Sequence, residues 1–66
     1  MNQLPSNYLV IYKDKEYIAH LQPNSCYYIH ISDKEYVNLH TSWLHEINGK
    51  KVFIDPILKK IVCRIK

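Results

Sequence analysis

Trp43-Leu44-His45-Glu46-Ile47-Asn48-Gly49-Lys50-Lys51-Val52-Phe53-Ile54-Asp55 holds the chain's only Trp, only Gly and only Phe, together with its clearest turn signal. Asn48-Gly49 between two apolar runs reads as a two-residue hairpin, because a type I′ turn needs positive φ at both central positions. Folding about that bond sets Ile47 opposite Lys50, Glu46 opposite Lys51, His45 opposite Val52, Leu44 opposite Phe53 and Trp43 opposite Ile54. One face then carries Trp43, His45, Ile47, Val52 and Ile54; the other carries an opposite-charge pair and an apolar pair. The Trp43–Ile54 pair lies on the face most easily packed, so Trp43 is expected to anchor the core and not to form a site.

Upstream of this hairpin the pattern predicts strands at Tyr8–Lys13 and Tyr17–Leu21, joined by Asp14-Lys15-Glu16. Gln22-Pro23-Asn24-Ser25 is a run of loop formers, and Pro23 cannot donate to a ladder. Strands at Cys26–Ser32 and Tyr36–Thr41 follow, joined by Asp33-Lys34-Glu35. A three-residue loop there sorts the side chains, with Ile31 facing Val37 and Ile29 facing Leu39 on an apolar side. The other side then pairs Ser32 with Tyr36, His30 with Asn38 and Tyr28 with His40. The repeated Asp-Lys-Glu-Tyr in the two loops reads as two polar hairpin tips.

Downstream, Asp55-Pro56 breaks the strand Lys50–Ile54, and Ile57–Lys59 is expected to turn. The terminal run Lys60–Lys66 reads as a closing strand, with Ile61, Cys63 and Ile65 facing one way and Lys60, Val62, Arg64 and Lys66 the other. The whole predicts an all-β chain: a small antiparallel meander of about six short strands, seven with the terminal run. Such a meander curls into an SH3-like or OB-like barrel or a tight sandwich. Residues 1–7 are expected to be a lead-in and residues 8–66 a single domain. The alternative is a curved open sheet completed by a second copy.

A chain of 66 residues buries only about 60% of the surface it exposes when unfolded, so stability is expected to be modest. Hydrophobic residues make up 47% and charged residues 23%, the composition of a folded domain. No run approaches the roughly 20 apolar residues of a membrane span, and the N-terminus lacks a signal-peptide pattern, so a cytoplasmic location without a membrane partner is expected. Cys26 and Cys63 are far apart with no CxxC, and are expected to be reduced, small hydrophobes.

Two clusters stand out. Tyr28, His30, Tyr36, Asn38 and His40 would share an outward face of amphipathic rings with hydrogen-bonding tips, side chains suited to a protein contact or to stacking on bases. Lys50, Lys51, Lys60, Arg64 and Lys66 concentrate positive charge in the last third of a chain whose net charge is +3, a candidate phosphate footprint or a guard on an edge strand. The four His residues have no metal-ligand spacing, and His45 and Glu46 would point to opposite faces of a strand. No metal, cofactor or catalytic set is therefore expected. The leading expectation is a stand-alone, non-enzymatic module that docks on a larger intracellular protein as a regulator or inhibitor. Nucleic-acid binding through the basic terminal strand is the alternative, and a small ribonuclease-type toxin the third.

Overall fold

The computed structural model describes residues 4–66. It is all-β, with strands β1 (Asn7–Tyr12), β2 (Lys15–Leu21), β3 (Cys26–Ser32) and β4 (Glu35–His40), a 3₁₀ turn at Thr41–Trp43, then β5 (Leu44–Ile47), β6 (Lys50–Asp55) and β7 (Lys60–Ile65). The strands form one antiparallel sheet in the order β4-β3-β2-β1-β7-β6-β5, curled into a half-barrel. Part of the expected lead-in, residues 1–3, lies outside the described residues. Residues 4–6 are not strand, but they are tied down: Leu21 N–H donates to the Ser6 carbonyl at 2.8 Å and the Tyr27 hydroxyl to the Pro5 carbonyl at 2.6 Å.

The Asn48-Gly49 hairpin has the predicted register from Ile47↔Lys50 to Leu44↔Phe53, with φ of 53° and 78° at its two turn residues. Its inward face is the opposite of the one expected. Phe53 is fully buried and Leu44 packs beside it, whereas His45 and Ile47 are exposed; of the expected face Val52 is buried, outside the core cluster. Trp43 does not pair with Ile54; it lies in the 3₁₀ turn, half-buried against the core, and Ile54 pairs with Ile61.

Two other hairpins differ in register for local reasons. The first turns at Lys13-Asp14, with Tyr12↔Lys15 as the closing pair and φ of 49° and 66°, so Lys15 and Glu16 belong to β2. The second turns at Asp33-Lys34, and a bulge between His30 and Ser32 lets Ile31 take up an extra position. Its pairs are therefore Tyr27↔Leu39, Tyr28↔Asn38, Ile29↔Val37 and His30↔Tyr36, two residues away from the predicted register. A slip of two preserves the faces, so Tyr28, His30, Tyr36, Asn38 and His40 still point outward. A further bulge around Val62 sits between the Ile54↔Ile61 and Phe53↔Cys63 pairs. It leaves Ile61 exposed and packs Val62 against the core, reversing the expected roles of these two residues.

The core is formed by Val10, Ala19, Tyr27, Ile29 and Leu39 from β1–β4, and by Phe53 and Cys63 from β6 and β7. Tyr27 and Phe53 meet edge to face at 5.6 Å between ring centroids, and Tyr8 packs on both, at 5.2 Å from Tyr27 and 6.5 Å from Phe53. Removing the Phe53 ring from this cluster empties the centre of a small core. Phe53→Ala should lower stability by about 3–5 kcal/mol, enough to leave much of the chain unfolded at 25 °C, as read by urea titration of far-UV circular dichroism.

Both cysteines are free, Cys63 buried and Cys26 half-buried. Burial pushes the Cys63 thiol from its ordinary 9.0 up to about 11. The unfolded chain thus releases this proton at lower pH than the folded one, so the contribution is complete below about pH 9 and is lost as pH rises towards 11. Denaturation curves between pH 8 and 11 should show a shallower fall in stability for Cys63→Ala than for the parent chain.

Candidate partner-binding face

The outer face of β3 and β4 follows from alternation. Tyr27, Ile29, Val37 and Leu39 point into the core, which leaves Tyr28, His30, Tyr36, Asn38 and His40 on the convex side. Tyr28 and Tyr36 lie diagonally across the β3–β4 ladder, their rings stacked at 5.7 Å with an angle of 29° between planes. The Tyr28 hydroxyl lies 3.3 Å from His30 Nδ1, which fixes the direction of both side chains along β3. Tyr36 is 60% exposed and Tyr28 half-buried, so the stack shows its Tyr36 side to solvent.

His40 departs from this group. Its Nδ1 accepts from the Ser42 backbone N–H at 3.1 Å and lies 2.8 Å from Ser42 Oγ, which caps the 3₁₀ turn after β4. The ring is therefore held by a local structural task at the margin of the face.

The face does not stop at β3. On β2 and β1 the paired Leu9 and Ile18 also point outward, 39% and 46% exposed, and His20 lies opposite both Tyr28 and Asn7. His20 Nδ1 is 2.7 Å from Asn7 Oδ1. Leu9, Ile18, His30 and Tyr36 thus form one row across four strands, with Asn7, His20, Tyr28 and Asn38 in the row beside it and the Glu16–Lys66 ion pair at its β1–β2 end. The sequence pointed to Tyr28, His30, Tyr36 and Asn38 but not to Leu9, Ile18 or His20. Their signal was the alternation in Tyr8–Lys13 and Tyr17–Leu21, which makes them the outward partners of Val10 and Ala19.

The basic residues are not gathered into one patch. Lys50, Arg64 and Lys66 share the outer side of β6 and β7, whereas Lys51 faces the other way with its ammonium 5.8 Å from the centre of the Tyr8 ring. Lys60 pairs with Asp55 at the far end of the hairpin, about 20 Å along the strand from Lys66 at roughly 3.3 Å per residue. Lys66 is ion-paired with Glu16, the one salt bridge among the described residues.

Among the described residues no three His, Cys, Asp or Glu side chains converge as metal ligands, and no helix is long and apolar enough to cross a membrane. His45 and Glu46 are consecutive residues of β5, on opposite sides of the sheet. Compared with known protein families, curated proteins and solved structures, the chain shows no match.

Because Tyr36 packs on one neighbour and is otherwise open, Tyr36→Ala should lower stability by no more than about 1.5 kcal/mol, the range of a single aromatic pair. Thermal melts of this variant should show a cooperative transition, which makes it usable as a probe of binding.

Proposed function

We propose that the chain is a non-enzymatic binding module that docks on a larger protein through the outer face of β1–β4. The observation that carries this reading is the uncovered row of Leu9, Ile18, His30 and Tyr36, with Tyr28 stacked on Tyr36. His30 is the polar member of the row, and the row's charged neighbours, Glu16 and Lys66, are paired with each other. Tyr supplies a large, stiff contact surface with a polar tip, and residues of this kind carry most of the energy in protein interfaces. A contiguous exposed apolar patch on a small domain is itself a mark of an interaction site. A role as regulator or inhibitor fits a module that acts only by occupying a partner's surface.

Nucleic-acid binding is the second reading, favoured by the stacked Tyr28–Tyr36 pair, on which a base could continue the stack. The dispersed lysines and the Glu16–Lys66 pair speak for the protein partner, because strand binding needs cations that track a phosphate backbone.

The two readings separate in one experiment. Parent chain, Tyr36→Ala and Ile18→Asp are immobilised and exposed to host lysate with and without nuclease, at low and high salt. A protein partner should survive nuclease and salt and be lost with either variant. Retention that disappears with nuclease and falls steeply with salt would overturn the protein reading, and recovery of the chain itself would make the face a self-association surface.

A further inference from the structure

The curl of the sheet leaves an opening that the strand directions impose. Every neighbouring pair is antiparallel, including β1 with β7, so counting round the sheet from β1 sets β4 and β5 running in the same direction. Parallel neighbours need a crossover of about a dozen residues or more. Only Thr41–Trp43 links these two strands. They do not pair, and the barrel stays open along this seam.

On the unpaired side of β4, between that strand, Trp43 and the start of β7, lies a cavity of about 490 Å³, within the range that holds small ligands. Its lining is mixed: Tyr12, Val37, Trp43, Leu58 and Val62 supply apolar surface, and Asn38, Asp55, Lys13 and Lys60 bring polar groups. The lip is apolar, with Leu58 61% and Ile61 55% exposed beside Ile57 at 85%. Two cations stand at the same mouth, Lys13 and Lys60. The Lys13 ammonium lies over the Tyr12 ring, 5.3 Å from its centre, which directs it to the cavity wall. Asp55 is the one acidic side chain of the lining, and its Oδ1 is already occupied by the backbone N–H groups of Ile57 at 2.8 Å and Leu58 at 3.1 Å.

Lys13 stands at a position that turn chemistry does not select for. Its φ of 49° is the left-handed region that Asn48 and Gly49 occupy in the equivalent turn of the third hairpin.

We propose that this cavity binds a single-chain anionic amphiphile of the long-chain carboxylate class, its hydrocarbon tail along Val37, Trp43 and Val62 and its carboxylate at Lys13 and Lys60. The tail covers the exposed Leu58 and Ile61, and the two lysines neutralise the head. The site meets the outer face of β3 and β4 at Asn38, which lines the cavity, and does not include Tyr28 or Tyr36.

Trp43 is the only Trp and lines the cavity, so it reports occupancy directly. The probe is cis-parinarate, titrated below its micelle concentration while energy transfer from Trp43 is followed. The expected result is saturable, one-to-one transfer that oleate displaces and that oleyl alcohol displaces about tenfold less well, the loss of one charge-assisted contact. Lys13→Glu/Lys60→Glu should weaken binding at least about tenfold with unchanged circular dichroism. Lys13→Asn should weaken binding while raising the thermal midpoint, because Asn relieves the turn. Absence of saturable transfer, or equal displacement by the alcohol, would overturn the proposal on the parent chain alone. Loss of transfer in Tyr36→Ala would move the ligand to the outer face. Sedimentation with phosphatidylglycerol vesicles without binding of monomeric oleate would overturn it in favour of a membrane surface.

Discussion

The contact between Tyr27 and Phe53 holds the curl together. Their strands, β3 and β6, are separated in the sheet by β2, β1 and β7, yet the two rings meet at 5.6 Å. A single sheet has no second layer to pack on, so a chain this short buries apolar surface only by bringing distant parts of one face together. Tyr8 stands between the two rings on β1 and completes a cluster that spans the concave side. The Tyr27 phenol is buried with its hydroxyl donated to Pro5, which ties the segment before β1 to the cluster centre. Burial, with a smaller contribution from Tyr8, holds this phenol above the ordinary tyrosine range, so it stays a donor. The bulges at Ile31 and Val62 belong to the same account, because a bulge adds local twist and helps a sheet bend back on itself.

That curl cannot finish. The seam between β4 and β5 follows from strand direction and a three-residue link, not from a shortage of apolar residues. Trp43 sits in this link and is divided between the core and the cavity, which is why the largest side chain of the protein is only half-buried. In a closed barrel the same residue would have filled the interior.

What the sequence made legible was what local chemistry decides. Asn48-Gly49 has one low-energy turn, and its register follows at once. The outward set of Tyr28, His30, Tyr36, Asn38 and His40 was legible by parity, which survives the two-residue slip caused by the bulge at Ile31. That bulge was not legible, because no Gly or polar residue marks it. The Lys13-Asp14 turn was hidden for a related reason: Lys seldom takes positive φ, so the neighbouring Asp14-Lys15-Glu16 looked the better tip. The inward side of the third hairpin was misjudged because Trp43, Val52 and Ile54 outweigh Leu44 and Phe53 in local apolarity. The choice is made by Tyr27, far away in the chain, which supplies a partner for Phe53 and none for His45. The cavity had no local signal, since it depends on how all seven strands are directed.

One strand borders both surfaces. β4 turns Tyr36 and His40 to the convex side, Leu39 to the core and Val37 to the cavity, which Asn38 also borders, and it is an edge strand with β3 as its sole neighbour. An edge strand is held by one ladder of hydrogen bonds where an inner strand is held by two, so it is among the easiest parts of a sheet to displace. Any displacement moves both of its faces together, because alternate side chains are fixed to the same backbone. The Tyr28–Tyr36 stack across the β3–β4 ladder and the packing of Leu39 in the core are therefore two readings of one position of β4.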